Sequence, residues 1–111
     1  MSTPDKKGNP MLQLQKIGMV TECYHELFAT FDSEADFQAA MRDLLDRHVS
    51  GQWGDVDKHD WKVNQDALKT GARIVSEYNV NGVRVWIISD AAWTENPLKR
   101  EVTTILRPSD Y

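Results

Sequence analysis

The sequence has very little cysteine and no long hydrophobic run. Cys23 is the only cysteine among 111 residues, which excludes an intramolecular disulfide and a cysteine-based zinc site and fits a reducing compartment. No apolar run approaches the roughly 20 residues that a membrane-spanning helix needs, and the polar start MSTPDKKGNP lacks the apolar core of a signal peptide. We therefore expect a cytoplasmic protein with no membrane partner.

The chain also lacks an excess of positive charge. Its 13 lysines and arginines stand against 17 aspartates and glutamates, which gives a net charge of −4. Non-specific binding to DNA or RNA depends on a basic field that neutralises phosphates, and this composition does not provide one. A nucleic-acid partner is therefore disfavoured.

Signature motifs of enzymes are missing as well. Ser50 and Ser89 lie in no nucleophile elbow, and no glycine-rich loop resembles a phosphate cradle. Cys23 has a base, His25, near it only in the sequence. The residues thus give no active-site signature.

What the sequence does contain is the composition of an ordinary globular protein. With 41% hydrophobic and 27% charged residues, the chain suffices for one domain with one modest core. Residues 1–10 are polar without an apolar pattern, which predicts a flexible tail. Residues 11–111 are expected to form a single α+β domain.

The segment over residues 11–31 supports two interpretations. Its first half alternates apolar and polar residues in part, which favours a strand near residues 16–22. Its second half places Tyr24, Leu27 and Phe28 at helical spacing, so a helix is the alternative there.

Two later segments carry the start and stop signals of helices. Ser33 can cap a helix whose apolar residues recur at intervals of three and four up to Gly51. Asp57 can cap a second helix that Gly71 ends. The inner face of this second helix would carry Trp61, Asn64, Ala67 and Leu68.

The dipeptide Asn81-Gly82 predicts a β-hairpin, because a type I′ turn needs two residues that tolerate positive φ. The flanking residues 72–80 and 83–90 then form two strands in a fixed register, and a further strand is expected over residues 101–107. The register pairs Val80 with Val83, Tyr78 with Val85, Ser76 with Ile87, Glu77 with Trp86 and Arg73 with Asp90.

The order of these elements predicts the fold class. A strand, two helices and a meander of strands favour an α+β domain in which the helices bury one face of a sheet. We expect an antiparallel sheet of three to four strands with two helices packed on one face.

Residues 47–78 contain a concentration of polar and aromatic side chains that raises the question of a metal site. His48, Asp55, Asp57, His59 and Asp60 lie within 13 residues, and histidine with carboxylate can hold a divalent metal. Their spacing matches no ligand motif, Asp57 serves better as a cap, and adjacent residues on a helix point about 100° apart. We expect no metal and no cofactor.

We interpret this stretch mainly as a turn and a helix cap. His48 lies on the apolar stripe of the first helix, where it can donate a hydrogen bond to a carbonyl group or to Asp55. Asn64 faces inward and can tie the GQWGD turn to the second helix. The structural motif then comprises His48, Trp53, Asp55 and Asn64.

Four tryptophans are more than a core of this size needs. Trp53 and Trp61 are expected to close the core beneath the helices. Trp86 is either covered by the N-terminal segment or exposed, and Trp93 sits in a polar loop. Exposed aromatic residues beside charges are typical of interface anchors. The predicted binding surface comprises Trp86, Trp93, Glu95, Lys99 and Arg100.

Three segments resemble a known family: LLDRHVSGQWGDVDKHDWKVNQDALKTGARIVSEY, VWIISDA and TTILRPSDY. The family comprises short uncharacterised bacterial proteins carried by plasmids and prophages, often labelled plasmid-related or as a type I restriction subunit. The resemblance covers about two-thirds of the chain and departs at residues 91–101 and in the N-terminal segment. The matching residues are His48, Gly51, Trp53, Gly54, Asp55, Asn64, Trp86, Ile87, Ile88 and Tyr111.

The resemblance implies an accessory protein of a mobile element. We expect a non-enzymatic protein that binds a host or element-encoded protein, such as a host-defence or restriction component that it inhibits, since carboxylates can occupy a basic surface meant for nucleic acid. The alternatives are a small metal-dependent hydrolase or nuclease and a DNA-binding regulator. The first would use His48, Asp55, His59 and Asp60, and the second would use Lys62, Lys69, Arg73 and Arg84.

Overall fold

Four strands form one sheet in the computed structural model, which describes residues 11–111. The flexible tail predicted at residues 1–10 lies outside the described residues. Within the described part of the chain, three helices separate the first strand from the other three. In chain order the elements are β1 (Gln13–Met19), α1 (Thr21–Phe28), α2 (Glu34–Val49), α3 (Lys58–Thr70), β2 (Ile74–Val80), β3 (Val83–Ser89), β4 (Lys99–Leu106) and a short 3₁₀ helix (Pro108–Asp110).

The strands lie in the order β1-β4-β3-β2, and the predicted small α+β fold is confirmed. β2, β3 and β4 form an antiparallel meander, whereas β1 pairs in parallel with β4. This one pair departs from the antiparallel pattern because three helices and a hairpin separate its two strands. A connection of that length allows the parallel pairing that a tight turn forbids.

The N-terminal segment contains both the strand and the helix that its sequence suggested, in that order. The strand predicted near residues 16–22 lies at residues 13–19, and the helical spacing that follows it becomes α1. Cys23 and Leu27, four residues apart, are fully buried on one face of this helix. The described chain therefore has one more helix than the two that were expected.

The inner face of the sheet is covered by α1 and α2. Both helices pack against Tyr78, Val85, Ile87 and Ile105, which come from three neighbouring strands. The two helices expected on one face, α2 and α3, are joined there by α1. α3 packs beside the edge strand β2, where its Ala67, with Trp61 and Leu68, lies with Ile74 in a second core cluster.

The helix signals in the sequence correspond to caps in the structure. The Ser33 hydroxyl accepts the Asp36 N–H at 3.1 Å, and an Asp57 carboxylate oxygen accepts the Asp60 N–H at 2.8 Å. Gly71, with a φ of +81°, ends α3 in the left-handed conformation. None of the helices described in residues 11–111 is long and apolar enough to cross a membrane.

The hairpin has the predicted turn and, for most pairs, the predicted register. Asn81 and Gly82 have φ values of +51° and +88°, as a type I′ turn requires. The ladder pairs Val80 with Val83, Tyr78 with Val85, Ser76 with Ile87 and Glu77 with Trp86. Its last pair is Ile74 with Ser89, and the Asp90 N–H bonds Val102 instead, so the Arg73 to Asp90 pair does not form.

Candidate functional site

The turn after α2 closes the edge of the sheet beside β2. The Asp55 N–H donates to the Glu77 carbonyl oxygen at 2.7 Å, and the Glu77 N–H donates to the Trp53 carbonyl oxygen at 3.1 Å. Gly54 lies between them with a φ of +71°, and a Cβ built on it would stand 2.0 Å from the Glu77 carbonyl oxygen. A glycine is therefore required for the turn to reach the strand.

Asn64 closes the same edge one step along the strand. Its Nδ2 donates to the Val75 carbonyl oxygen at 2.8 Å, and its Oδ1 accepts the Val75 N–H at 3.2 Å. The sequence predicted that Asn64 would tie the GQWGD turn to α3. The structure corrects this: the amide joins α3 to β2, while the Tyr78 hydroxyl holds the turn by donating to the Gln52 carbonyl oxygen at 2.8 Å.

His48 is fully buried in a network of hydroxyl groups beneath α2. Its Nδ1 hydrogen-bonds Ser76, its Nε2 bonds Ser89 at 2.8 Å, and Ser89 bonds Thr103 at 2.8 Å. These partners replace the carbonyl or Asp55 that the sequence suggested. Burial, and then the positive charge of Arg100, lower the pKa of His48 to about 3. The ring is neutral and both of its nitrogens are occupied.

The residues of the hydrolase hypothesis do not come together. Among residues 11–111, no group of three or more histidine, cysteine, aspartate or glutamate side chains could hold a metal ion. His48 is turned into the core, and the Asp57 side chain caps α3. His59 and Asp60 are exposed neighbours on the first turn of that helix.

Arg100 does not belong to the predicted binding surface, because it is fully buried. Its guanidinium donates four hydrogen bonds to backbone carbonyl oxygens, and burial lowers its pKa. Carbonyls at the end of α3 suit a cation because they carry the negative end of the helix dipole. The acceptors are Pro97 at 2.7 Å, Ala72 at 2.7 Å, Ala67 at 3.0 Å and Asp90 at 3.1 Å.

The opposite face of the sheet carries a groove of about 480 Å³, which we call the outer groove. Its floor is formed by Val75, Trp86 and Ile88 on alternate positions of β2 and β3. One wall is α3, and the far end is closed by the C-terminal residues that follow β4. The full lining is Asp60, Val63, Asn64, Ala72, Arg73, Val75, Trp86, Ile88 and Tyr111.

Trp86 is held in the floor of the outer groove by a carboxylate and an aromatic ring. Its indole N–H donates to Glu77 Oε1 at 2.7 Å, and its ring meets that of Tyr111 edge to face at 5.7 Å. Arg84 donates to the same Glu77 oxygen at 2.8 Å. Partial burial works against ionisation of Glu77, but the two hydrogen bonds and the positive charge of Arg84 together lower its pKa.

Tyr111 forms the end wall of the outer groove and is 70% exposed. Its hydroxyl accepts a hydrogen bond from Arg73 at 2.8 Å, and the Arg73 guanidinium stands 5.8 Å from the ring centre. Arg107 fixes the preceding turn, because it binds Asp110 at 2.7 Å and Glu26 at 2.7 Å. The Arg107 guanidinium lowers the pKa of Asp110.

The other residues of the predicted surface lie in or beside the loop between β3 and β4. Trp93 is 76% exposed and Glu95 is exposed, whereas Lys99 is half-buried at the start of β4. The Ala92 N–H bonds the Gly71 carbonyl oxygen at 2.7 Å. The loop that carries Trp93 is thereby tied to the chain beside Ala72 and Arg73, at the outer groove.

Sequence reasoning found Trp86 but missed Arg73 and Tyr111 as its partners on the same surface. The sequence assigns Arg73 to the DNA hypothesis and to a pair with Asp90, and Tyr111 to the family resemblance. A usable signal was present: Arg73 precedes β2 directly, and Trp86 lies on the adjacent strand.

Comparisons with protein-family models, curated proteins and solved structures find no match for this chain.

Proposed function

We propose that this protein acts without catalysis, by binding another protein at the outer groove. The observation that carries the proposal is that Trp86 lies in an apolar floor and that Tyr111 and Arg73 line the same groove. Tryptophan, tyrosine and arginine are the residue types that most often dominate the binding energy of protein interfaces. The exposed Trp93 extends the same surface beyond the end of the groove.

The state of the candidate catalytic groups supports a non-enzymatic role. His48 is neutral and hydrogen-bonded through both ring nitrogens, so it has no lone pair for a substrate. Burial raises the pKa of Cys23 to about 11, which leaves its thiol protonated near neutral pH. Cys23 is the candidate nucleophile considered from the sequence, and His48 is one of the residues of the hydrolase hypothesis.

The arrangement of charge supports a protein partner over a nucleic acid. Of the four basic residues in the DNA hypothesis, Arg84 is already paired with Glu77. Arg73 lies at one end of the outer groove, and an acidic hollow lies at the other end. Asp55, Asp57 and Asp60 line that hollow, where they would repel phosphates.

The proposal includes the partner class that the family resemblance implies. The partner would be a host or element-encoded protein of the cytoplasm, such as a restriction or defence component, and binding would inhibit it. The net charge of −4 supports this, because an acidic protein complements a basic surface that normally receives nucleic acid.

Site-specific photocrosslinking tests the proposal. A photoreactive amino acid replaces Val63, which is 44% exposed on the groove wall, or Ala39, an exposed residue of α2, and each protein is irradiated in the bacterial host. We expect a crosslinked protein from the Val63 probe that is lost when Trp86→Ala is added. Equal products from both probes, or none from Val63, would overturn the proposal.

A further inference from the structure

We propose that the outer groove selects an extended peptide segment of its partner with a basic side chain at one end, a large apolar side chain in the middle and an acidic side chain at the other end. This inference rests on the proposed function and specifies the chemistry that the groove recognises. Charge is distributed unevenly along the groove, with acidic residues at one end and Arg73 at the other.

The acidic end lies beside the start of α3. A second hollow of about 260 Å³ shares Asp60, Val75 and Trp86 with the outer groove and therefore adjoins it. Asp55 and Asp57 line this second hollow. None of the ion pairs among residues 11–111 uses these three aspartates, so their charge is not neutralised within the described chain, although one oxygen of Asp57 also caps α3.

The basic end lies beside the end of α3, where Arg73 is exposed and lines the groove. One of its nitrogens donates to the Tyr111 hydroxyl, a neutral acceptor. No carboxylate among the described residues 11–111 pairs with this guanidinium. Arginine binds carboxylate groups through two parallel hydrogen bonds, so a carboxylate of the partner fits this end.

The separation of the two ends suits a short extended segment. Glu77 also lines the acidic hollow, and it follows Arg73 by four positions along the direction of β2, or about 13 Å at roughly 3.3 Å per residue. The ten-residue rise from Asp60 to Thr70 along α3 gives a similar length of about 15 Å. A bound strand therefore places its two charged side chains about four residues apart.

The middle of the groove is apolar. Val75 and Ile88 flank Trp86 on the floor, and the Trp86 N–H is already satisfied by Glu77. A large aliphatic or aromatic side chain would bury area there without stranding a polar group. The groove thus presents acid, apolar surface and base in that order, and an occupant complements it with base, apolar side chain and acid.

Peptide selection on the purified full-length protein tests this pattern. A random dodecapeptide phage library is panned on the wild type, on Arg73→Glu, on Trp86→Ala and on a control, Arg42→Glu, which makes the same charge change on exposed α2. We expect peptides with the base, apolar, acid pattern on the wild type and the control. Peptides selected on Arg73→Glu should carry a basic residue at the position where peptides selected on the wild type carry an acidic one.

Synthetic versions of the selected peptides give the affinities. We expect replacement of the acidic residue of the peptide by alanine to weaken binding to the wild type about fivefold. The same replacement should not weaken binding to Arg73→Glu. The Val63→Glu variant, with its change on the exposed side of α3, should lose binding while keeping its melting temperature.

The outcomes separate the two proposals. Peptides that need Trp86 but show no charge pattern would overturn this inference and leave the protein-binding function standing. Absence of any peptide that needs Trp86 or Val63 would overturn both. Sedimentation that finds a wild-type dimer which Val63→Glu dissociates would assign the groove to a second copy of this chain and overturn the inference.

Discussion

The side-chain amide of Asn64 pairs with both backbone groups of Val75, at 2.8 Å and 3.2 Å. Val75 lies on β2, at the edge of the sheet, and the amide occupies the position that a neighbouring strand would take. The next outward residue, Glu77, is bonded by the main chain of the turn around Gly54. A side chain and a turn thus close this edge against pairing with another chain.

Removal of the Asn64 amide should destabilise the protein. We expect Asn64→Ala to lower the free energy of unfolding by roughly 2 kcal/mol, because the N–H and carbonyl of Val75 lose their partner. Urea denaturation measures the change. Gln65→Ala, at the exposed neighbouring position, is the control and should stay within about 0.5 kcal/mol of the wild type. Equal midpoints for the two variants would refute the role of the amide.

Substitutions at Gly54 and Gly82 distinguish the cost of a steric clash from the cost of backbone strain. Both have positive φ, but a Cβ meets nothing within 4 Å at Gly82 and stands 2.0 Å from the Glu77 carbonyl oxygen at Gly54. Gly82→Ala should therefore cost about 1 kcal/mol for its φ alone. Gly54→Ala should cost clearly more, since the turn must also leave the strand. Similar losses in thermal unfolding would contradict the close approach.

His48 should make stability depend on pH. Its folded pKa of about 3 lies below the ordinary value of 6.5, so the unfolded chain takes up a proton that the folded protein refuses. This residue has no effect above about pH 6.5, and stability falls by about 1.4 kcal/mol per pH unit as the pH drops from there toward 3.

Urea midpoints measured between about pH 7 and pH 5 check this dependence. His48→Gln, whose amide can still bond a hydroxyl group, should flatten the profile. His59→Gln, at an exposed position, should leave it as steep as in the wild type. A wild-type slope that survives in His48→Gln would show that another group is responsible.

Arg100 should behave as part of the scaffold. We expect Arg100→Met to cost roughly 3 kcal/mol, because four carbonyl oxygens that are buried or partly buried lose their donor. Lys99→Met, at the adjacent half-buried position, provides the control and should change stability little. Calorimetry measures the stability of both variants. A fully stable Arg100→Met protein would contradict the structural role of the guanidinium.

Trp93 should behave as part of the surface. Because its side chain is 76% exposed, Trp93→Ala should leave the melting temperature within about a degree. The same change should weaken binding of the partner by roughly 2 kcal/mol or more, because the interface loses an aromatic anchor. A melting temperature that drops with the affinity would place Trp93 in the core of the fold.

Local chemistry was readable from the sequence, whereas distant partners were not. Ser33 and Asp57 cap helices within three residues, and Asn81-Gly82 fixes a turn within two, so their geometry is determined nearby. His48 instead finds its partners 28 and 41 residues away, at Ser76 and Ser89. Neither the spacing nor the composition around His48 indicates which strands α2 will cover.

The candidate site shows the same difference between local features, which the sequence predicts, and long-range contacts, which it does not. Trp86 could be placed opposite Glu77 because a two-residue turn sets the register. Arg100 was assigned to the surface because an arginine near the end of a polar loop is normally exposed. Its burial depends on α3 ending beside the loop, a long-range contact that spans 33 residues to Ala67.

Glu77 links two parts of the molecule that otherwise look independent. Its main chain is bonded to the turn at Trp53 and Asp55, while its carboxylate holds Trp86 in the outer groove. We therefore expect a displacement of the turn to shift the backbone of Glu77 and, through its carboxylate, the indole of Trp86. The turn would then influence the shape of the outer groove without taking part in its lining.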